Sequence, residues 1–257
     1  MKLPERILSS LSRDPGLEDY PETKEAWTLN NSLDLLLRYF PTLKEDIVGK
    51  DILDFGCGSG WQSVAIAVNG ARYVMGLDIN PKLLQRAIDL AKEYNVDSRV
   101  EFREKIEKAD QERFDIVLSQ NSMEHFKDPG EVLNQMKEVA KKDGILLITF
   151  GPPWFAPYGS HMHFFTKVPW VNILFSESTV MSVRRYFRSD GATKYEDVEG
   201  GLNRMSIAKF EKIINYADLK IIKNKYTCIK GMNFLGKLPL IRELFINHVS
   251  CVLAPLS

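Results

Sequence analysis

The chain has 257 residues with 34 basic and 34 acidic side chains, and this zero net charge gives no global electrostatic pull toward nucleic acid or an anionic membrane. Its three cysteines, Cys57, Cys228 and Cys251, lack paired metal-ligand spacing, which argues against a disulfide framework or a structural zinc and suits reduced thiols in a cytosol. No run of about eighteen apolar residues occurs, and charges and prolines interrupt the first residues where a secretory signal needs an unbroken apolar segment, so a soluble cytoplasmic chain with no transmembrane segment is expected.

In chain order, "NNSLDLLLRYF" (Asn30–Phe40) offers an Asn or Ser cap, leucines at helical spacing and Pro41 as a stop, and predicts a helix beside the core. Strand-like and helix-like segments then alternate. "DILDF" (Asp51–Phe55), "RYVMGLD" (Arg72–Asp78), "RVEFR" (Arg99–Arg103), "FDIVLSQ" (Phe114–Gln120) and "GILLITF" (Gly144–Phe150) are the strands, and "WQSVAIAVNG", "PKLLQRAIDLAKEY" and "PGEVLNQMKEVAKK" are helices between them. Short apolar strands separated by amphipathic helices predict an α/β, doubly wound, Rossmann-like and mostly parallel sheet with helices on both faces. After Phe150 the rhythm breaks for about fifty residues, then returns as a helix in "MSIAKFEKIINYADL" and two late strands, "KIIKNKYTCIK" and "FINHVSCVLA".

This rhythm divides the chain into an N-terminal helical cap (1–47), a ligand-binding core (48–150), an insertion (151–203) and a closing helix with the last strands (204–257). "DFGCGSG" (Asp54–Gly60) falls where the first strand should turn into the first helix. Glycines there permit a tight turn and a close approach of ligand to backbone, at the sheet edge where such folds bind nucleotides. Asp78 ends the next strand, where a carboxylate can accept both hydroxyls of a ribose, and its neighbour Ile79 can cover a base. A nicotinamide cofactor would need a glycine at position 61, which is Trp61.

On "ILDFGCGSG", "GLDINP" and "SQNSMEHFKDP" the sequence resembles the class I S-adenosylmethionine-dependent methyltransferases, of the type 11-like kind, from Val48 to Phe150. The resemblance implies a seven-stranded sheet, S-adenosyl-L-methionine as cofactor, and a set of positions that hold it. Gly56, Cys57, Gly58 and Gly60 would lie under the methionine and ribose, Asp54 would bear on the methionyl amino group, and Asp78 would hold the ribose beside Ile79. Gln120 and Asn121 would approach the sulfonium, with Glu124 and His125 opening toward the acceptor. Where many relatives place an acidic residue against the adenine, this chain has Lys105 and Ile106, with Glu104 beside them.

"GPPWFAPYGSHMHFF" (Gly151–Phe165) follows the fifth strand and so emerges at the same sheet edge. Its prolines and rings predict an aromatic lid that walls an acceptor pocket with Trp154, Phe155, Tyr158, Phe164 and Phe165. In extended backbone His161 and His163 share one face, so either is a candidate base, as is His125, with Tyr158 to orient an acceptor oxygen. No metal is expected, because the histidine pair lacks a third ligand at useful spacing. Arg184, Arg185 and Arg188 offer a site for an anionic acceptor group, or a solvated helix face. The expected activity is methyl transfer, to oxygen first, on a small apolar or aromatic acceptor; the alternatives are a cofactor-binding regulatory protein without turnover and a methyltransferase for protein or RNA.

Overall fold

The computed structural model describes residues 1–13, 27–198, 200–239 and 241–256, so the middle of the expected N-terminal cap lies outside the described residues. Seven strands make one sheet: β1 (Asp51–Phe55), β2 (Tyr73–Leu77), β3 (Val100–Arg103), β4 (Phe114–Gln120), β5 (Ala140–Phe150), β6 (Leu219–Cys228) and β7 (Ile246–Pro255). Their order is β3-β2-β1-β4-β5-β7-β6. The first five are parallel, and β7 runs antiparallel to both its neighbours. The order reverses between β1 and β4, so the carboxyl ends of these two strands open the crevice in which such sheets take ligands.

Central strands are buried on both faces, which their near-continuous Ile, Leu, Val and Met content already requires. One face packs Leu53, Met75, Val117, Leu146 and Ile148 against helices Pro129–Val139 and Ile207–Tyr216, where Phe150 meets Phe210 edge-on at 4.8 Å. The other packs Ile52, Val74, Ile116 and Leu147 against helices Leu29–Leu37, Trp61–Val68 and Pro81–Glu93. Three of these helices start on side-chain caps that the sequence carries. Asn80 and Asp128 accept hydrogen bonds from the exposed first-turn N–H groups, with Pro81 and Pro129 following, and Ser206 caps the helix from Ile207.

Two local expectations are corrected. The helix Leu29–Leu37 is capped by Thr28, whose Oγ1 accepts from Asn31 N at 3.2 Å, and not by Asn30, Asn31 or Ser32. The helix from Pro129 ends at Val139 instead of running through "AKK", because Ala140 pairs with Phe114 and the chain turns directly into β5.

Residues 151–203 are not a bare loop. They contain helices Val171–Leu174 and Glu177–Arg184, the latter capped by Ser176, around an apolar cluster of Met162, Phe165, Val180, Val183 and Tyr195. Leu8, on the first helix Leu3–Ser10, is fully buried in this cluster, and Arg13 N donates to Phe165 O at 2.8 Å. The N-terminal thirteen residues therefore pack on the insertion, whereas Leu29–Leu37 packs on the sheet.

Candidate cofactor and acceptor site

The glycine loop leaves β1 and is tied to the end of β2 by its own backbone. Gly56 N and Cys57 N both donate to Leu77 O at 2.8 Å, and Gly58 N donates to Asp78 Oδ2 at 2.9 Å. The other Asp78 oxygen accepts from Asn80 N at 2.9 Å, so this carboxylate joins the loop to the next helix start. Gly58 has φ +55°, and a side chain added there would meet nothing within 4 Å, which leaves the loop open above its backbone. Ile79 is 90% exposed, the most exposed large apolar side chain among the described residues, directly beside that carboxylate.

Asp54 lies beneath the loop, fully buried, and accepts from Ser63 Oγ at 2.7 Å. Burial pushes its carboxyl up to about 6, with the Ser63 hydroxyl opposing and nearby Asp78 adding. The Cys57 thiol is pushed up by burial and then by Asp54 and Asp78, so it stays protonated and carries no nucleophilic role. Gln120, at the end of β4, meets Gln62 through its Oε1, while its Nε2 is buried without a partner. Asn121 follows at φ +50° and is held by its N–H to Thr149 O at 2.9 Å. Lys105 is exposed and lines a cavity of about 480 Å³ with Leu84, Ile88 and Phe102, on the outer side of β3, while Ile106 packs partly into the core.

Across the crevice, the turn after β4 presents Glu124 and His125. Glu124 is buried; Oε1 accepts from Gly151 N at 3.1 Å, Oε2 has no partner, and burial raises its carboxyl above the usual range. His125 Nδ1 lies 2.8 Å from Gly201 O. A carbonyl only accepts, so Nδ1 carries the proton and the Nε2 lone pair is left free. The His125 ring meets His161 edge-on at 5.5 Å. His161 is held down to about 4, chiefly by burial and then by the neighbouring histidines, and its Nε2 is buried without a partner.

His161 and His163 do not share a face. Met162–Phe164 forms a 3-10 turn, not extended backbone, so His161 turns toward His125 while His163 is exposed and faces Tyr158 at 6.3 Å. Most of the expected aromatic wall also has another use. Phe165 is buried on Phe187, Trp154 stands edge-on to Tyr195 at 4.9 Å, and Phe155 and Tyr158 remain at the surface. The arginine cluster is divided too: Arg184 is buried and paired to Asp190 through both Nη atoms at 2.6 and 2.5 Å, whereas Arg188 sits over the Phe164 ring.

Several contributors are not visible in the sequence. Asn203 Nδ2 donates to Met123 O and Phe126 O at 2.7 and 2.8 Å and so clamps the turn that carries His125, from about eighty positions downstream. Ser122 Oγ reaches Gln120 O at 3.0 Å, and His248 on β7 stacks on Tyr39 at 4.1 Å. Only strand alternation could have flagged His248, and no spacing rule points to Asn203 or Gly201.

Residues 47–151 match the family described as "Methyltransferase domain". This stretch, less than half of the chain, is thus similar to a methyltransferase domain, and the seven-stranded sheet around it has the fold of the class I enzymes. The resemblance of the glycine loop and Asp78 to this family implies S-adenosyl-L-methionine as the cofactor. Two features of the methyltransferase domain fit that group: the open cradle above Gly58, and the unpartnered Gln120 amide at the crevice. Among curated proteins, the chain is 32% identical over 108 residues to a ubiquinone biosynthesis O-methyltransferase of Neisseria meningitidis, covering 40% of this chain and 45% of that protein. The chain thus spans less than half the length of this relative. Among solved structures it is similar to an S-adenosylmethionine-dependent methyltransferase from Listeria monocytogenes (TM-score 0.56, 15% identity, 85% of this chain and 98% of that one). It is also similar to the magnesium protoporphyrin IX methyltransferase of Synechocystis PCC 6803 with bound SAH (TM-score 0.54, 16% identity, 89% and 83%). These likenesses establish the fold of the methyltransferase domain. Among the described residues, no helix is long and apolar enough to cross a membrane.

Proposed function

We propose that the protein methylates a hydroxyl group on a small apolar or aromatic acceptor, using S-adenosyl-L-methionine, with His125 as the base. The observation that carries the reading is the His125 ring: its Nδ1 proton is fixed on Gly201 O, so Nε2 is a ready acceptor at the carboxyl edge of the sheet. His161, held neutral beside it by burial, adds no opposing charge at ordinary pH, and its depressed basicity makes it a weak base. Exposed His163 and Tyr158 pair with each other at the surface and serve as orienting groups at the mouth. The first relatives' names, O-methyltransferases of ubiquinone biosynthesis, favour oxygen on a small molecule, whereas a ribosomal protein L11 methyltransferase of Escherichia coli, 29% identical over 117 residues, stands for the protein alternative.

The cofactor supplies a methyl group already activated toward an in-line nucleophile. The chain's part is then to bind, align and remove one proton. Gly56, Cys57, Gly58 and Gly60 form the cradle, Asp78 and Ile79 receive the ribose and base, and Lys105 and Ile106 stand at the base's far end. Asp54 bears on the cradle from beneath, and Gln120 and Asn121 orient the methionyl end. Glu124 anchors Gly151 through its backbone N–H, fixing the first residue of the 151–203 segment, which we read as the acceptor lid.

Purified protein incubated with methyl-labelled S-adenosyl-L-methionine and a cell extract, then fractionated, tests this. Label is expected in the organic-soluble fraction and lost with Asp78→Ala. His125→Asn is expected to keep cofactor affinity while slowing transfer about 100-fold or more. Label in protein or RNA, or full turnover by His125→Asn, overturns the acceptor class or the base respectively.

A further inference from the structure

β6 is parallel to β5 and β7 antiparallel to it, so the connection from Ile229 to Phe245 lies at the same carboxyl edge as the glycine loop and His125. This connection exposes large apolar side chains, Phe234 (65% exposed) and Leu238 (46%). The turn Val171–Leu174 does the same with Ile173 and Leu174 (64%), and Phe155 and Tyr158 are exposed nearby in sequence. The three stretches meet. Trp170 stands edge-on to Phe245 at 6.4 Å, its N–H donates to Pro157 O at 2.6 Å, and Leu174 N donates to Trp170 O at 2.9 Å. Six exposed apolar side chains on turns at one edge exceed the scattered single residues that a soluble surface carries.

The charge around them is one-sided. From Gly151 to Phe175 the sequence has Lys167 and no acidic residue. From Leu219 to Arg242 it has six cations, Lys220, Lys223, Lys225, Lys230, Lys237 and Arg242, and no acid, in a chain whose totals balance. Arg242 is spoken for by Glu211 at 2.5 Å. The β6 lysines line an edge strand, where lysine blocks the addition of a further strand. Lys230 and Lys237 remain, both exposed and flanking Phe234, with exposed Lys167 across the rim.

We propose that this rim docks on an anionic lipid surface, Phe234, Leu238, Ile173 and Leu174 entering the interface while Lys230, Lys237 and Lys167 meet the headgroups. Apolar side chains on short turns beside Lys167, Lys230 and Lys237, with the connection's one acid, Glu243, turned to Ala208 N, match the chemistry of such a surface. A protein partner would have to supply a complementary acidic collar. Docked this way, the mouth of the crevice faces the bilayer, and an apolar acceptor enters it without crossing water. Binding to lipid does not depend on methyl transfer, so its failure is separable from failure of the proposed activity.

The test is sedimentation of the full chain with vesicles of phosphatidylcholine alone or with roughly one part in three phosphatidylglycerol. About tenfold more protein should sediment with the anionic vesicles at low salt, and high salt should release it. Lys230→Glu with Lys237→Glu, and separately Phe234→Ser with Leu238→Ser, should each reduce binding about fivefold or more. Thermal denaturation serves as the folding check, and if the apolar pair fails it, the lysine pair carries the test. No binding, equal binding to both vesicles, or binding unmoved by the lysine pair overturns the proposal. So does self-association in sedimentation velocity that Phe234→Ser and Leu238→Ser abolish, because a second copy would then occupy the rim.

Discussion

Gly60 opens the helix Trp61–Val68 at φ +80°, and a β-carbon placed on it would come within 2.6 Å of Ala87 Cβ and 2.9 Å of Phe102. Gly60→Ala therefore meets both the left-handed backbone penalty and a clash between two packed elements, and should destabilise the fold by about 2–4 kcal/mol, read as a lowered midpoint in urea. Gly58 shares the left-handed backbone but has open space above it. Gly58→Ala should cost less stability, about 1 kcal/mol, and weaken cofactor binding instead, measured by calorimetry. The two glycines are indistinguishable in "GCGSG"; only the packing of Ala87 and Phe102 separates them. Asp78 and the loop were legible because one short stretch of chain carries both. The His125 tautomer was not, because it is set by the carbonyl of Gly201, which no local pattern announces.

At the scale of elements, β1 to β4 and their helices were readable because each is bounded by its own signals: alternating apolar runs, Asn80-Pro81 and Asp128-Pro129 starts, and glycines at the turns. Helix-forming "AKK" misled because strand pairing with Phe114 outweighs local propensity there. The 151–203 segment was opaque for a different reason: its apolar residues serve a cluster completed by Leu8 from the far N-terminus. Its buried cation is held the same way, by tertiary pairing, since Arg184 is 4% exposed and its bidentate partner Asp190 is pulled down to about 2 by that guanidinium. Asp190→Ala strands the guanidinium and should cost about 3 kcal/mol. Arg184→Met combined with Asp190→Ala should recover part of that loss in urea unfolding, because no uncompensated charge stays inside.

For the whole molecule, acid stability is set by opposing groups. Burial holds His248 and His161 down to about 4, so the unfolded chain binds more protons than the folded one from there up to the free imidazole value of about 6.5. Their contribution is complete above that window and is lost as pH falls through it. Asp54, raised to about 6, acts in the reverse sense: its contribution is present at low pH and is lost as pH rises toward 6, and buried Glu124 shares that direction. His248→Phe keeps a ring on Tyr39 and removes one proton acceptor. Between pH 7 and 5 it should lose less stability than the parent chain, by on the order of 1–2 kcal/mol, measured by unfolding at each pH. The antiparallel course of β7 has one more consequence. Because the 229–245 excursion leaves and re-enters the sheet between two strands at its far side, it is a replaceable cassette: a loop of other chemistry grafted between Cys228 and Ile246 would redress the mouth of the crevice while every hydrogen bond that shapes the glycine loop stays in place.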